Sequence, residues 1–159
     1  MKPLALLILV LVLAGCGSAP APSTGDLTVA DSAQLAAIFS AADLDVTVFD
    51  DGSVVLKEYP LQVLVFIEDE GESLQAVFPF VGVGLGDPAK VDRWNGERRF
   101  GRAYIDEDGD PLLASDLLLG EGVREEAVVA WGKLVLSMLP VFRDEVWPRQ
   151  TPAAEPLNE

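Results

Sequence analysis

Asp106, Asp108 and Asp110, two residues apart within Asp106-Glu107-Asp108-Gly109-Asp110, are the densest group in this 159-residue chain that could hold a cation or move a proton. Their spacing resembles a calcium loop. An EF-hand loop needs glycine at its sixth position and a bidentate Glu at its twelfth, whereas here Gly109 is fourth and Leu117 twelfth. The stretch is better read as a hairpin turn whose acids stay solvated. Gly82-Val83-Gly84-Leu85-Gly86-Asp87 is the next candidate, because glycine-rich backbone before a helix can cradle phosphate. Asp87 stands where the third glycine of a dinucleotide fingerprint belongs, and its carboxylate would cap the helix and repel phosphate. No Lys follows as in a P-loop, so the segment reads as a connection. With no His in the chain and Cys16 its one cysteine, Ser-His-Asp, Cys-His and structural zinc arrangements are all excluded. The expectation is a non-catalytic protein without cofactor or metal.

Lys90, Arg93, Arg98, Arg99 and Arg102 concentrate positive charge in one short segment of a chain whose formal charge is −15. Two accounts fit. Arg93, Arg98, Arg99 and Arg102 could form a partner-binding patch for anions. Alternatively they pair with neighbouring acids such as Glu97 and Asp106, each exposed pair being worth about 1 kcal/mol or less. The internal account is the simpler one. Overall acidity disfavours nucleic acid and anionic lipid surfaces, since both modes need Lys and Arg against phosphate. Trp94, Trp131 and Trp147 are expected as core or tail contacts. Asn95, beside Trp94 where a helical pattern hands over to a strand pattern, is expected to satisfy backbone groups with an amide that both donates and accepts.

The start of the chain sets where these groups are carried. Met1-Lys2 precedes the apolar run Leu4 to Leu13, which has signal-peptide length. Leu13-Ala14-Gly15-Cys16 resembles the bacterial lipobox, in which the cysteine becomes the lipidated first residue. Residues 1–15 are thus expected as a lipoprotein signal, Cys16 as the lipidation site and 16–26 as a flexible tether. Losing Lys2 takes the formal charge from −15 to −16. The protein would touch the membrane through its lipid only. Gly17 after the cysteine, where Asp would resemble an inner-membrane retention signal, favours the outer membrane in a host with two; with one membrane, the anchor lies on its outer face. Residues 148–159, rich in Pro, Ala and acid, read as a disordered tail.

Residues 27–147 form one domain. Thr28-Val29-Ala30-Asp31 resembles a capping box before a helix with Leu35, Ile38, Phe39 and Ala42 on its buried stripe. Extended runs follow: Val46 to Phe49, Val54 to Tyr59 after the Asp50-Asp51-Gly52 turn, and Leu61 to Ile67, too apolar to have a wet face. Leu74 to Val81 is a further strand, where Pro79 suggests an edge or a bulge. Asp87-Pro88 caps and opens a helix toward Arg99. Phe100, Arg102 and Tyr104 share one face of the next strand, Phe100 to Ile105, and Leu112 to Leu119 is its hairpin partner. The last helix carries Val128, Trp131, Val135, Met138 and Phe142 on one stripe, widened by Leu134 and Leu139, with a kink or restart at Pro140. The fold class is α+β, helices on an antiparallel sheet in the order α-βββ(β)-α-ββ-α.

Trp94-Asn95, Arg98-Arg99-Phe100-Gly101-Arg102-Ala103-Tyr104, the Asp106 to Asp110 turn, Gly120-Glu121-Gly122-Val123 and Tyr59-Pro60-Leu61-Gln62-Val63 together resemble the YbjN family, described as bacterial sensory transduction regulators. The resemblance spans Leu27 to about Trp147. It implies a fold like that of type III secretion chaperones and a non-catalytic domain that binds other proteins, often as a dimer. Arg124 departs from the family, standing where relatives tend to have a Ser or Thr helix cap. The reading is a bacterial envelope lipoprotein that binds a protein or peptide at a sheet edge or a groove between helix and sheet. A homodimer, or use of the same surface for another protein, is also expected, from the wide final stripe and the strand broken at Pro79. The competing reading is a carboxylate-dependent hydrolase of envelope polymers, which would need two acids at fixed separation in one cleft.

Overall fold

A computed structural model describes residues 26–28, 30–79, 84, 86–120 and 122–147. The leader, Cys16 and the tail from Pro148 lie outside them, as does the tether except its last residue, Asp26. The elements are β1 (Asp26–Leu27), α1 (Ser32–Ala41), β2 (Asp45–Val48), β3 (Val54–Glu58), β4 (Leu61–Glu68), β5 (Ser73–Pro79), α2 (Pro88–Glu97), β6 (Arg102–Ile105), β7 (Pro111–Leu118), β8 (Val123–Arg124) and α3 (Glu125–Glu145). Six strands form one antiparallel sheet in the order β2-β3-β4-β5-β7-β6, and β1 pairs with β8 as a small separate ribbon.

Local chemistry sets most boundaries. Asp31 itself caps α1, its carboxylate accepting from Gln34 N at 2.8 Å. The helix therefore starts one turn later than a box opening at Thr28 would place it. Asp87 caps α2 by accepting from Ala89 N at 3.0 Å, with Pro88 as the first helical residue. Between β2 and β3, Gly52 N donates to Phe49 O and Phe49 N to Ser53 O, both at 2.9 Å. Gly52 lies at φ 86°, where a side chain would be strained. Pro79 is neither on an edge strand nor at a bulge: β5 is interior, and Pro79 is its last residue, opposite Leu112. The missing donor thus falls where the ladder ends. Nor does α3 restart at Pro140; a single helix runs from Glu125 to Glu145.

The sheet sorts its side chains by period two. One row, Val54, Val65, Ala76 and Ser115 across β3, β4, β5 and β7, is buried under α1 and α3. The helices close on each other at Gly132, where an added Cβ would stand 2.7 Å from Phe39 Cε1. Leu35, Phe39, Val128, Leu139 and Phe142 complete this core. The next row, Thr47, Val55, Leu64, Val77, Ala114 and Arg102, crosses all six strands and points the other way. β4 therefore does have a second, unlidded face: Gln62 is exposed, Leu64 and Phe66 are half-buried, and no described helix covers them.

Candidate partner-binding surfaces

α2 lies along β6 and closes that edge of the sheet. Adjacent residues on a helix point in different directions, so Trp94 and Asn95 serve different surfaces. The Trp94 ring is 2 % exposed and meets Phe142 edge-on, centroids 5.1 Å apart at 85°. Its Nε1 donates to Gly101 O at 3.1 Å. Asn95 Nδ2 donates to Ala103 O at 2.9 Å, and its Oδ1 accepts from Ala103 N at 2.8 Å. One amide thus gives Ala103 both bonds that a seventh strand would have supplied. Phe100, expected inside this strand, lies outside it at φ 69° and is 71 % exposed, because the chain must reverse between α2 and β6.

Around that edge lie the basic residues. Arg98 pairs with Glu145 at the far end of α3 and stands 5.7 Å from the Trp94 ring centroid. Its partner is therefore neither Glu97 nor Asp106. Asp106 is already engaged, its Oδ1 accepting from Asp108 N at 3.0 Å and Asp110 N at 2.8 Å. Arg93 shares a depression with Lys90, Trp94, Glu97 and Glu145; Arg102 borders another with Asn95, Phe100 and Asp116. Arg99 is exposed between them. Among the described residues the salt bridges are Arg98–Glu145 and Arg143–Asp144, so Arg93, Arg99 and Arg102 have no carboxylate partner there.

The family profile described as "Putative bacterial sensory transduction regulator", YbjN, matches residues 31–146. The chain belongs to the YbjN family. Its structure is similar to the crystal structure of YbjN from E. coli, described as "a putative transcription regulator", with TM-score 0.51, 13 % identity, and coverage of 70 % of this chain and 92 % of that one. It is also similar, at TM-score 0.44 and 17 % identity over 69 % of this chain and 94 % of that one, to the Yersinia pestis type III secretion chaperone SycH, solved with a stable fragment of YscM2. No curated protein matches the chain in sequence. The likeness to YbjN carries the α+β fold.

Two findings in this YbjN-family domain were not legible in its sequence. The Asp106 to Asp110 turn is a hairpin, but its acids are not all solvated: Asp110 is 3 % exposed and accepts from Gly84 N. With Gly86 N donating to Gly109 O at 2.9 Å, the turn holds Gly84 and Gly86 before α2. The other finding is the contrast between the sheet's edges. At β2 the Phe49 N to Ser53 O bond sets the alternation, so Thr47 and Asp45 bond inward to β3 while the backbone groups of Val46 and Val48 turn outward. Val48 and Phe49 are 41 % and 52 % exposed. The polar residues at period two, Thr47, Lys57, Gln62, Gln75 and Asp116, were the available signal for an uncovered face.

Proposed function

We propose that this YbjN-family chain is a non-catalytic bacterial envelope lipoprotein, anchored by lipid on Cys16, whose domain captures an extended segment of a protein partner at the β2 edge. The observation that carries this reading is the unequal treatment of the two edges: α2 closes β6 with Trp94 and Asn95, while the outward main-chain groups of Val46 and Val48 have no partner among the described residues. Strand addition would draw its affinity from those main-chain groups, and Val48 and Phe49 would supply the apolar contact. The arginines at 93, 98, 99 and 102 are secondary candidates for the partner's acids. The anchor rests on the sequence around Cys16, and the outer membrane facing the periplasm is its expected place in a two-membrane host.

A photoreactive residue at Val48 in the full chain, expressed in its host, tests the capture. Protein adducts are expected from position 48 and not from position 96 on α2. Adducts equally frequent at both positions, or at neither, overturn the edge reading. The anchor has its own test. Mass spectrometry should find a lipidated Cys16 as residue one, and Cys16→Ala should release the chain from membranes.

A further inference from the structure

The sealing of β6 leaves Phe100 unexplained. Among the described residues, Asp43, Asp69, Glu70 and Phe100 are the non-glycines at positive φ. The three acids sit in turns, whereas a bulky ring in the left-handed region is strained where glycine would not be. Burial gives nothing in return, since Phe100 is 71 % exposed. Its neighbour Gly101 is pressed against the core: a Cβ there would stand 2.9 Å from Leu113 Cδ1 and 3.0 Å from Met138 Sδ, which leaves the adjoining ring outside. An exposed aromatic held at such a backbone cost implies a contact that the described residues do not make.

The surroundings define that contact. Phe100 borders an open depression of about 430 Å³ with Asn95, Gly101, Arg102 and Asp116. Arg99 and Arg102, on either side of the ring in sequence, are exposed and have no carboxylate partner among the described residues. Asp116 is already engaged, accepting from Gln75 Nε2 at 2.9 Å. The site therefore fits an apolar side chain flanked by two carboxylates. Glu155-Pro156-Leu157-Asn158-Glu159 of this same chain has that order. A chain with formal charge −15 repels such a segment over most of its surface, so charge complementarity selects the arginines. Reach is sufficient. Glu145, at the end of α3, pairs with Arg98, two residues before Phe100. The eight residues from Pro148 to Glu155 can extend on the order of 28 Å, enough to reach the arginines from there. A segment tethered at that distance is present at millimolar effective concentration, so weak exposed pairs are enough to seat it.

We propose that the Phe100 depression is the docking site for residues 155–159 of the same chain, with Leu157 on the Phe100 ring and Glu155 and Glu159 at Arg99 and Arg102. Once seated, the segment occupies these arginines, and an acidic partner must displace it to use them. The inference is independent of strand capture, since it uses the helix-covered edge and not β2.

A photoreactive residue at position 157 of the full chain, extracted in mild detergent, tests it, with adducts located by mass spectrometry. Adducts within one chain to residues 99–102 are expected. Arg99→Glu with Arg102→Glu should lower their yield at least fivefold, and adding Glu155→Arg and Glu159→Arg to the same chain should restore it. Phe100→Asn, which suits the same backbone, should lower the yield by a similar factor, whereas Phe100→Tyr should retain it. The charge variants lie at exposed positions on the domain, so they report on docking in a folded chain. Adducts between differently tagged copies, adducts to another protein or to lipid in place of residues 99–102, adducts spread evenly over the chain, or a yield that the second charge reversal fails to restore would each overturn the proposal.

Discussion

The two edges of the sheet solve the same problem in opposite ways. β6 has its outward main-chain groups answered from within the chain, the Gly101 carbonyl by Trp94 and both groups of Ala103 by Asn95. At β2, against which α1 also packs, no described side chain answers the outward main-chain groups of Val46 and Val48; its shortness and the nearby aspartates are what discourage pairing there. The β6 edge is sealed by two specific side chains, while the outward main-chain groups of β2 are left open among the described residues, which is the difference the strand-capture proposal uses.

The largest effect is expected where the sealed edge is anchored. Trp94→Ala removes a ring packed against Phe142 and over the end of β6, and should cost about 3–5 kcal/mol in urea unfolding. Amide exchange in β6 should rise with it. If Trp94→Ala instead leaves stability within about 1 kcal/mol of the parent, the ring is not what holds α2 on the edge.

Asn95→Ala separates sealing from packing. Asn95 is exposed as a residue, so little apolar burial is lost, but the Ala103 N–H and C=O both lose their partner. A cost of about 1–3 kcal/mol is expected, with faster exchange at the Ala103 amide and none at Val55 in β3. Asn95→Asp retains the acceptor for Ala103 N–H and places an anion against Ala103 O, so it should rescue only part of the loss.

How far the sequence discloses this arrangement depends on the range of the interaction. Helix starts at Asp87-Pro88, the hairpin at Gly52 and the stripe of α3 are local, and their residue types alone announce them. The joint at Trp94-Asn95 is legible for the same reason, since its hydrogen bonds reach only seven or eight residues along the chain, although the Trp94 ring also packs on the distant Phe142. The partner of Arg98 is 47 residues away on α3, and Asp110 accepts from Gly84, 26 residues before it; no local pattern specifies either. β4 misled for a physical reason. Its outward residues, Leu64 and Phe66, are apolar without a lid, so the alternation that marks a one-sided strand is missing.

The bare edge offers a gentler test. In Val48→Pro the lost N–H is one that points away from β3, and proline is tolerated at such edge positions. Stability should fall by less than about 1 kcal/mol, while photocrosslinking from the neighbouring edge should be lost. The same change at Thr47, whose N–H bonds to β3, should be clearly more damaging; equal damage at both positions would mean that the alternation along β2 is misassigned.

The smallest effect lies in the turn that fixes β2 to β3. Asp51 accepts from the Ser53 hydroxyl at 2.7 Å and from Ser53 N at 2.9 Å. These bonds, the hydroxyl first, hold its carboxyl below the ordinary value of 3.8. A lowered pKa in the folded state means that the folded chain binds this proton less readily than the unfolded one. The stabilisation is therefore complete above the unfolded value, near 3.8, and is lost as pH falls through the lower folded value. Asp51 is solvent-exposed, so the effect is small and solvent-screened. Its signature is a carboxyl titration midpoint for Asp51 below 3.8 in NMR that moves up toward that value in Ser53→Ala. An unchanged midpoint in Ser53→Ala would show that the hydroxyl does not hold the turn. The turn would then rest on its backbone donors, Ser53 N to Asp51, Phe49 N to Ser53 O and Gly52 N to Phe49 O.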